Sequence, residues 1–129
     1  MKVITLKQPY ASLIANGYKE YEFRSWKTNY RGEIIIHAGV GVDKTAMKKF
    51  SKLNLDYPKS RIVAKVKLID CIKIDDSFNK ELIDMNNEIY GDKTRDGYAW
   101  KIELIEKIDD YEIIKGKLGL WNLDIKKDL

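Results

Sequence analysis

The sequence predicts an α+β chain, mostly β. It reads as a small barrel of five or six mainly antiparallel strands with about three helices around it. Three observations support this. Two long runs, 61–74 and 98–108, alternate apolar and polar side chains as half-buried strands do. Three shorter stretches repeat apolar residues at helical spacing. Strands and helices do not alternate evenly, which disfavours the strand–helix–strand units of a parallel sheet and favours a barrel with helical insertions.

The elements follow in chain order. Residues 2–6 read as a first strand. A helix over 9–16 places Pro9 in the first turn, where its missing N–H costs nothing. Tyr10, Leu13 and Ile14 share its buried face, and Gly17 supplies the left-handed stop. A strand over 20–25 sends Glu20, Glu22 and Arg24 to one face and Tyr21 and Phe23 to the other. Residues 33–37 form another strand, after which Gly39 and Gly41 bracket a turn. Asp43 caps a helix that runs to about residue 53, with Ala46, Met47 and Phe50 on one side and Lys44, Lys48, Lys49 and Lys52 elsewhere. In the strand over 61–74, Ile62, Ala64, Val66 and Leu68 alternate with Lys65 and Lys67. A third helix over 77–90 carries the stripe Phe78, Leu82, Met85 and Ile89 and stops at Gly91. The strand over 98–108 places Tyr98, Trp100, Ile102 and Leu104 on one face, and 120–125 add a last strand.

At 129 residues and 44% hydrophobic, the chain fits one domain, 1–129, with a modest core. No apolar run approaches the ~20 residues of a membrane span, and no leader-like segment opens the chain. The single Cys71 cannot form an internal disulfide and reads as a small hydrophobe in its strand, so a cytoplasmic setting is expected. One Cys and one His leave no basis for a structural zinc site, and neither a metal nor a cofactor is expected. The net charge of +4 suits a nucleic-acid or nucleotide partner. Lys supplies 20 of the 24 basic residues, so Arg24, Arg31, Arg61 and Arg95 stand out by scarcity.

The chemistry concentrates between Gln8 and Ala38. Lys19 sits in the turn before a strand that places Glu22 and Arg24 two apart on one face. A cation, a carboxylate and a guanidinium meeting at one place can bind a phosphate or a polar base edge. They can also polarise a carbonyl while a carboxylate moves a proton. The same alternation of charged residues with Tyr and Phe fits a solvated strand face with a surface ion pair.

Gly17-Tyr18-Lys19-Glu20-Tyr21-Glu22-Phe23-Arg24 resembles the G-x-K-x-x-E-x-R motif of the ASCH domain family, which is named for homology to a transcription coactivator. Gln8-Pro9-Tyr10-Ala11 resembles the family's Q-P-W-A opening, with Tyr in place of Trp. Arg31-Gly32 followed by Ile34-Ile35-Ile36-His37-Ala38 resembles its R-G-x-(apolar)-I-H-A strand. Tyr98-Ala99-Trp100 and Gly116-Lys117-Leu118-Gly119-Leu120-Trp121 resemble its last two strands. The resemblance implies a PUA-like β-barrel whose Lys/Glu/Arg motif lines a cleft.

Trp26, two residues after Arg24, shares its face if the strand continues, and is the aromatic expected to stack a base. Trp100 and Trp121 read as core. His37 reads as a structural histidine, and the resemblance adds it as a ligand-binding candidate because its family counterpart lies near the cleft mouth.

Three function classes follow. The first is a module that binds RNA or a nucleoside or nucleotide through Lys19, Glu22, Arg24, Trp26 and His37, in transcription- or translation-related RNA metabolism. The second is an enzyme using the same cleft. Some relatives resemble amidohydrolases that deacylate acylated cytidine with a Lys, a Thr and a Glu, and others are described as nucleases. Lys19 matches that Lys, while Glu22 stands where the Thr is expected, so a hydroxyl nucleophile is missing. Glu22 would then be the base for water, Lys19 the carbonyl polariser and Arg24 the orienter, with Glu81 or Glu88 as a third-helix acid. A metal-independent ribonuclease would draw on the same cluster. The third class is a protein-interaction module, for which no residue pattern speaks.

Overall fold

The computed structural model describes residues 1–124. Six strands form one sheet: β1 (Lys2–Gln8), β2 (Tyr21–Arg24), β3 (Gly32–Val42), β4 (Arg61–Lys73), β5 (Tyr98–Lys107) and β6 (Leu120–Asn122), in the order β2-β5-β4-β3-β1-β6. Helices α1 (Tyr10–Ala15), α2 (Lys44–Phe50) and α3 (Asp76–Asp84) lie between them, with a short 3₁₀ turn at Ser51–Leu53. The fold is α+β and mostly β. All pairings are antiparallel except β1 with β3, which the α1–β2 excursion brings alongside in parallel.

Among the described residues the backbone ladder does not close into a barrel; β2 and β6 are its edges. The Arg24 guanidinium spans from β2 to β1, where Nη2 donates to the Thr5 carbonyl at 3.2 Å. A side chain thus bridges a seam that a ladder would close in a complete cylinder.

Helix α1 sits against this curled sheet. Ala11, Ile14 and Ala15 pack with Ile4, Leu6, Ile36, Val66, Leu68 and Trp100 in the main core. Gly17, at φ +81, ends the helix and lets the Tyr18 and Lys19 amides return to the Leu13 carbonyl at 2.9 and 3.2 Å. A second cluster, Val3, Ile35, Ile62 and Trp121, occupies the other face and is packed by Ile108 and Ile114. Cys71 is partly buried against the main core.

Several boundaries depart from the sequence reading. β3 continues through the Gly39–Gly41 region, because β1 pairs with it as far as Gln8 opposite Val42, with a register shift between Leu6 and Gln8. α3 starts from Asp75, whose carboxylate accepts the Phe78 amide at 2.8 Å, and it ends near Met85 instead of Tyr90. Asn86 breaks it at φ +50, so Met85 is exposed and Ile89 lies in the following turns. Two register shifts between β4 and β5 reset the alternation, and Leu104 ends up largely exposed, off the core face of Trp100 and Ile102. Of the last strand, Leu120–Asn122 is present, and residue 125 lies outside the described residues. No helix among the described residues is long and apolar enough to cross a membrane.

Candidate functional site

The tight return after Gly17 carries Lys19 inward. Its side chain is 4% exposed, and its ammonium donates to the Tyr21 carbonyl and meets Glu22 Oε1 at 3.3 Å. Glu22 Oε2 lies 3.5 Å from Arg24 Nη2. Lys19, Glu22 and Arg24 therefore form one chain of charge, cation–anion–cation, with Glu22 13% exposed at its centre. A solvated strand face does not look like this: the pairing is largely desolvated, where Coulomb attraction is stronger. Burial pushes the Lys19 ammonium pKa below its ordinary value; Arg95 and Arg24 push the same way, and Glu22 pulls back. The Lys19 nitrogen also stands 4.9 Å from the Phe23 ring centre and 5.6 Å from that of Tyr10.

Tyr21 and Phe23, on the opposite parity of β2, anchor the segment behind this cluster. Tyr21 meets Phe78 of α3 edge-on at 5.5 Å, and Tyr90 stands edge-on to both Tyr21 and Phe23 at 5.9 Å. The Tyr90 hydroxyl accepts from the Glu20 and Tyr21 amides at 2.8 and 3.2 Å.

Arg95, which the sequence singled out only by scarcity, completes the site. Its guanidinium carbon lies 4.4 Å from the Phe23 ring centre. Nη2 donates to the Tyr90 carbonyl at 3.0 Å and Nη1 to that of Lys93 at 3.3 Å. The buried Asn79 holds the same segment from α3, donating Nδ2 to the Arg95 carbonyl at 2.8 Å while Oδ1 accepts the Arg95 amide at 2.9 Å. An arginine stacked on an aromatic and pinned by backbone carbonyls is pre-oriented for an anion.

Arg24 and Arg95 face a cleft of about 780 Å³ between the end of β2, α3 and residues 93–96. Phe23, Asn79, Lys80, Lys93, Asp76 and Asp96 line it too. Arg24 Nε is buried and has no hydrogen-bond partner among the described residues. A smaller hollow of about 280 Å³, lined by Tyr10, Asp43, Lys49 and Tyr90, meets the cleft at Lys93 and Arg95. There the Tyr10 hydroxyl donates to Asp43 Oδ2 at 2.5 Å, and Asp43 Oδ1 caps α2 by accepting the Ala46 amide at 3.0 Å. Burial and the Asp43 bond raise the Tyr10 phenol pKa above its ordinary value.

Trp26 and His37 lie apart from this cluster. β2 ends at Arg24, so Trp26 stands in the turn beyond it, edge-on to Trp100 at 4.7 Å and 37% exposed. His37 is fully buried on the other face of the sheet. Its Nε2 lies 2.6 Å from the Ile114 carbonyl and its Nδ1 lies 3.1 Å from Thr5 Oγ1, which accepts from Trp121 Nε1 at 3.1 Å. A carbonyl only accepts, so Nε2 carries the proton and Nδ1 takes the threonine hydroxyl: a neutral imidazole satisfies the whole network. Burial lowers the His37 pKa accordingly. Glu88 is exposed and paired with Lys52, and Glu81 is exposed on α3; neither lines the cleft. Among the described residues no cluster of three His, Cys, Asp or Glu side chains could hold a metal ion.

Comparison with known families decides the lineage: the ASCH domain model matches residues 4–117. The chain belongs to the ASCH domain family. Two curated relatives of this ASCH domain are both Activating signal cointegrator 1, from Homo sapiens and Mus musculus, 28% and 27% identical over 137 aligned residues. Each alignment covers 95% of this chain but 22% of the relative, so the ASCH chain spans about a fifth of the length of those proteins.

Proposed function

We propose that this ASCH domain binds RNA or a nucleotide-like ligand through its phosphate, in the cleft faced by Arg24 and Arg95. The observation that carries this reading is the pairing of two arginines, one stacked on Phe23 and one with an unpartnered Nε, across a cleft of about 780 Å³ that Lys80 and Lys93 also line. Guanidinium groups match phosphate geometry, and a ring beside them can take a base. Lys19 and Glu22 stand behind this surface and hold Arg24 in place.

The test is fluorescence anisotropy with a labelled short single-stranded RNA and, in competition, nucleoside monophosphates. Arg95→Ala and Arg24→Ala should each weaken binding by about tenfold or more, and RNA affinity should fall steeply as salt rises. Unchanged affinity in both variants refutes the reading.

Hydrolysis is the second reading, and one observation favours it: a buried lysine with a depressed pKa touching a carboxylate is the type of pair that moves protons. It requires ligand atoms to reach the largely buried Lys19 and Glu22, neither of which lines the cleft. Incubation with acylated and unmodified nucleosides and RNA, read by mass spectrometry beside Lys19→Ala, decides it. Product lost in the variant establishes an enzyme, and an unchanged panel removes this reading.

A further inference from the structure

A second concavity, of about 540 Å³, lies where the end of β1, the end of β3 and the segment before β6 meet, and it shares no lining residue with the cleft. Its surface is mainly apolar, with the neutral His37 in its floor. Around it stand Val40, Ile113 and Leu118, which are 75%, 67% and 97% exposed. Three large aliphatic side chains left in water around one hollow mark a contact surface; scattered singly they would mean nothing. Lys7, Lys115 and Lys117 also line it, and among the described residues no carboxylate does.

We propose that this hollow docks an acidic segment of a protein partner, which inserts an aliphatic side chain into the hollow and sets its carboxylates against the three lysines. Charge complementarity argues for an acidic occupant over a basic one. The apolar lining argues against a nucleic acid, whose binding surfaces carry cations with stacking rings. The concave shape takes a protruding side chain, the anchor-in-pocket arrangement of interface hot spots. The ladder fixes the β1 and β3 parts of this surface, and the Ile114 amide, donating to the Ser60 carbonyl at 2.8 Å, ties the segment before β6 to it, which limits the ordering needed on binding.

The test uses the full chain and a fluorescein-labelled peptide of alternating leucine and glutamate, read by anisotropy and by amide shifts in nitrogen–proton correlation spectra. Saturable binding is expected, with shifts confined to the surroundings of Val40, Ile113 and Leu118. Leu118→Asp, and separately Lys115→Glu with Lys117→Glu, should weaken it by about tenfold or more. Leu118 contributes almost nothing to the core, so an unchanged melting midpoint verifies that each variant is folded. Four results overturn the proposal. They are a peptide that does not saturate, and a leucine–lysine peptide that binds as well. The third is Leu118-dependent uptake of the protein by anionic vesicles, which would make the surface a membrane contact. The fourth is Leu118-dependent self-association in sedimentation, which would make it an interface between copies.

Discussion

Glu22→Gln is the substitution that tests the buried charge chain most directly. It keeps the shape of the side chain and removes only its charge. At an effective dielectric near 20, unit charges at the observed 3.3 and 3.5 Å attract by about 5 kcal/mol each. The cost of desolvating the charges offsets much of this, and Arg24 is 25% exposed, so its share is screened further. Removing one partner of a buried pair costs about 3–5 kcal/mol, because the other charge stays behind unpaired. The partial exposure of Arg24 puts the expected loss at the lower end, about 3 kcal/mol. The assay is urea unfolding followed by circular dichroism, on Glu22→Gln, Lys19→Met and the double variant. Lys19→Met removes the charge most costly to bury, so the double variant should recover more than about 1 kcal/mol relative to Glu22→Gln alone, a coupling that neighbouring sites show. A loss under about 0.5 kcal/mol for Glu22→Gln, the range of ordinary surface changes, would refute the account and return the cluster to a solvated strand face.

Three further outcomes are expected. His37 is the only histidine, and its folded pKa lies below the ~6.5 of the unfolded chain, so the unfolded state takes up its proton first as pH falls. Its contribution is complete above about pH 6.5 and is lost progressively below, so the urea midpoint should drop between pH 7 and 5, and His37→Gln should flatten that drop. Gly97→Ala sets a Cβ 2.5 Å from the Arg24 carbonyl at φ +86, and should lower the melting midpoint by about 5 °C or more. Asp43→Ala loses both the α2 cap and the Tyr10 bond, at about 2 kcal/mol in urea unfolding, and Asp43→Asn should retain the cap's share.

What could be read from the sequence was what local periodicity controls. The turn at Gly17, the Asp43 cap and the parity of β2 follow from nearest neighbours, and the turn and the parity bring Lys19, Glu22 and Arg24 together. Arg95 was not legible as a site residue. It lies in a stretch without periodicity and meets Phe23 across 72 positions, through contacts made by Tyr90 and Asn79. A scarce arginine among many lysines was its only signal. The face of Trp26 depended on a strand that stops at Arg24, and that of Leu104 on register shifts with β4, neither of which alternation reveals. The parallel pairing of β1 with β3 was hidden because each strand alone reads the same in either direction.

The edge of β2 carries a further consequence. An unprotected edge strand offers free amides on which another chain can add a strand. Here the outward amides are already occupied: the Tyr90 hydroxyl takes that of Tyr21, and Glu22 Oε1 takes that of Phe23 at 3.1 Å. The carboxylate that balances Lys19 is therefore also a cap on a sticky seam. Changes at Glu22 or Tyr90 bear on whether molecules of this protein stay separate when concentrated, as much as on what any one of them binds.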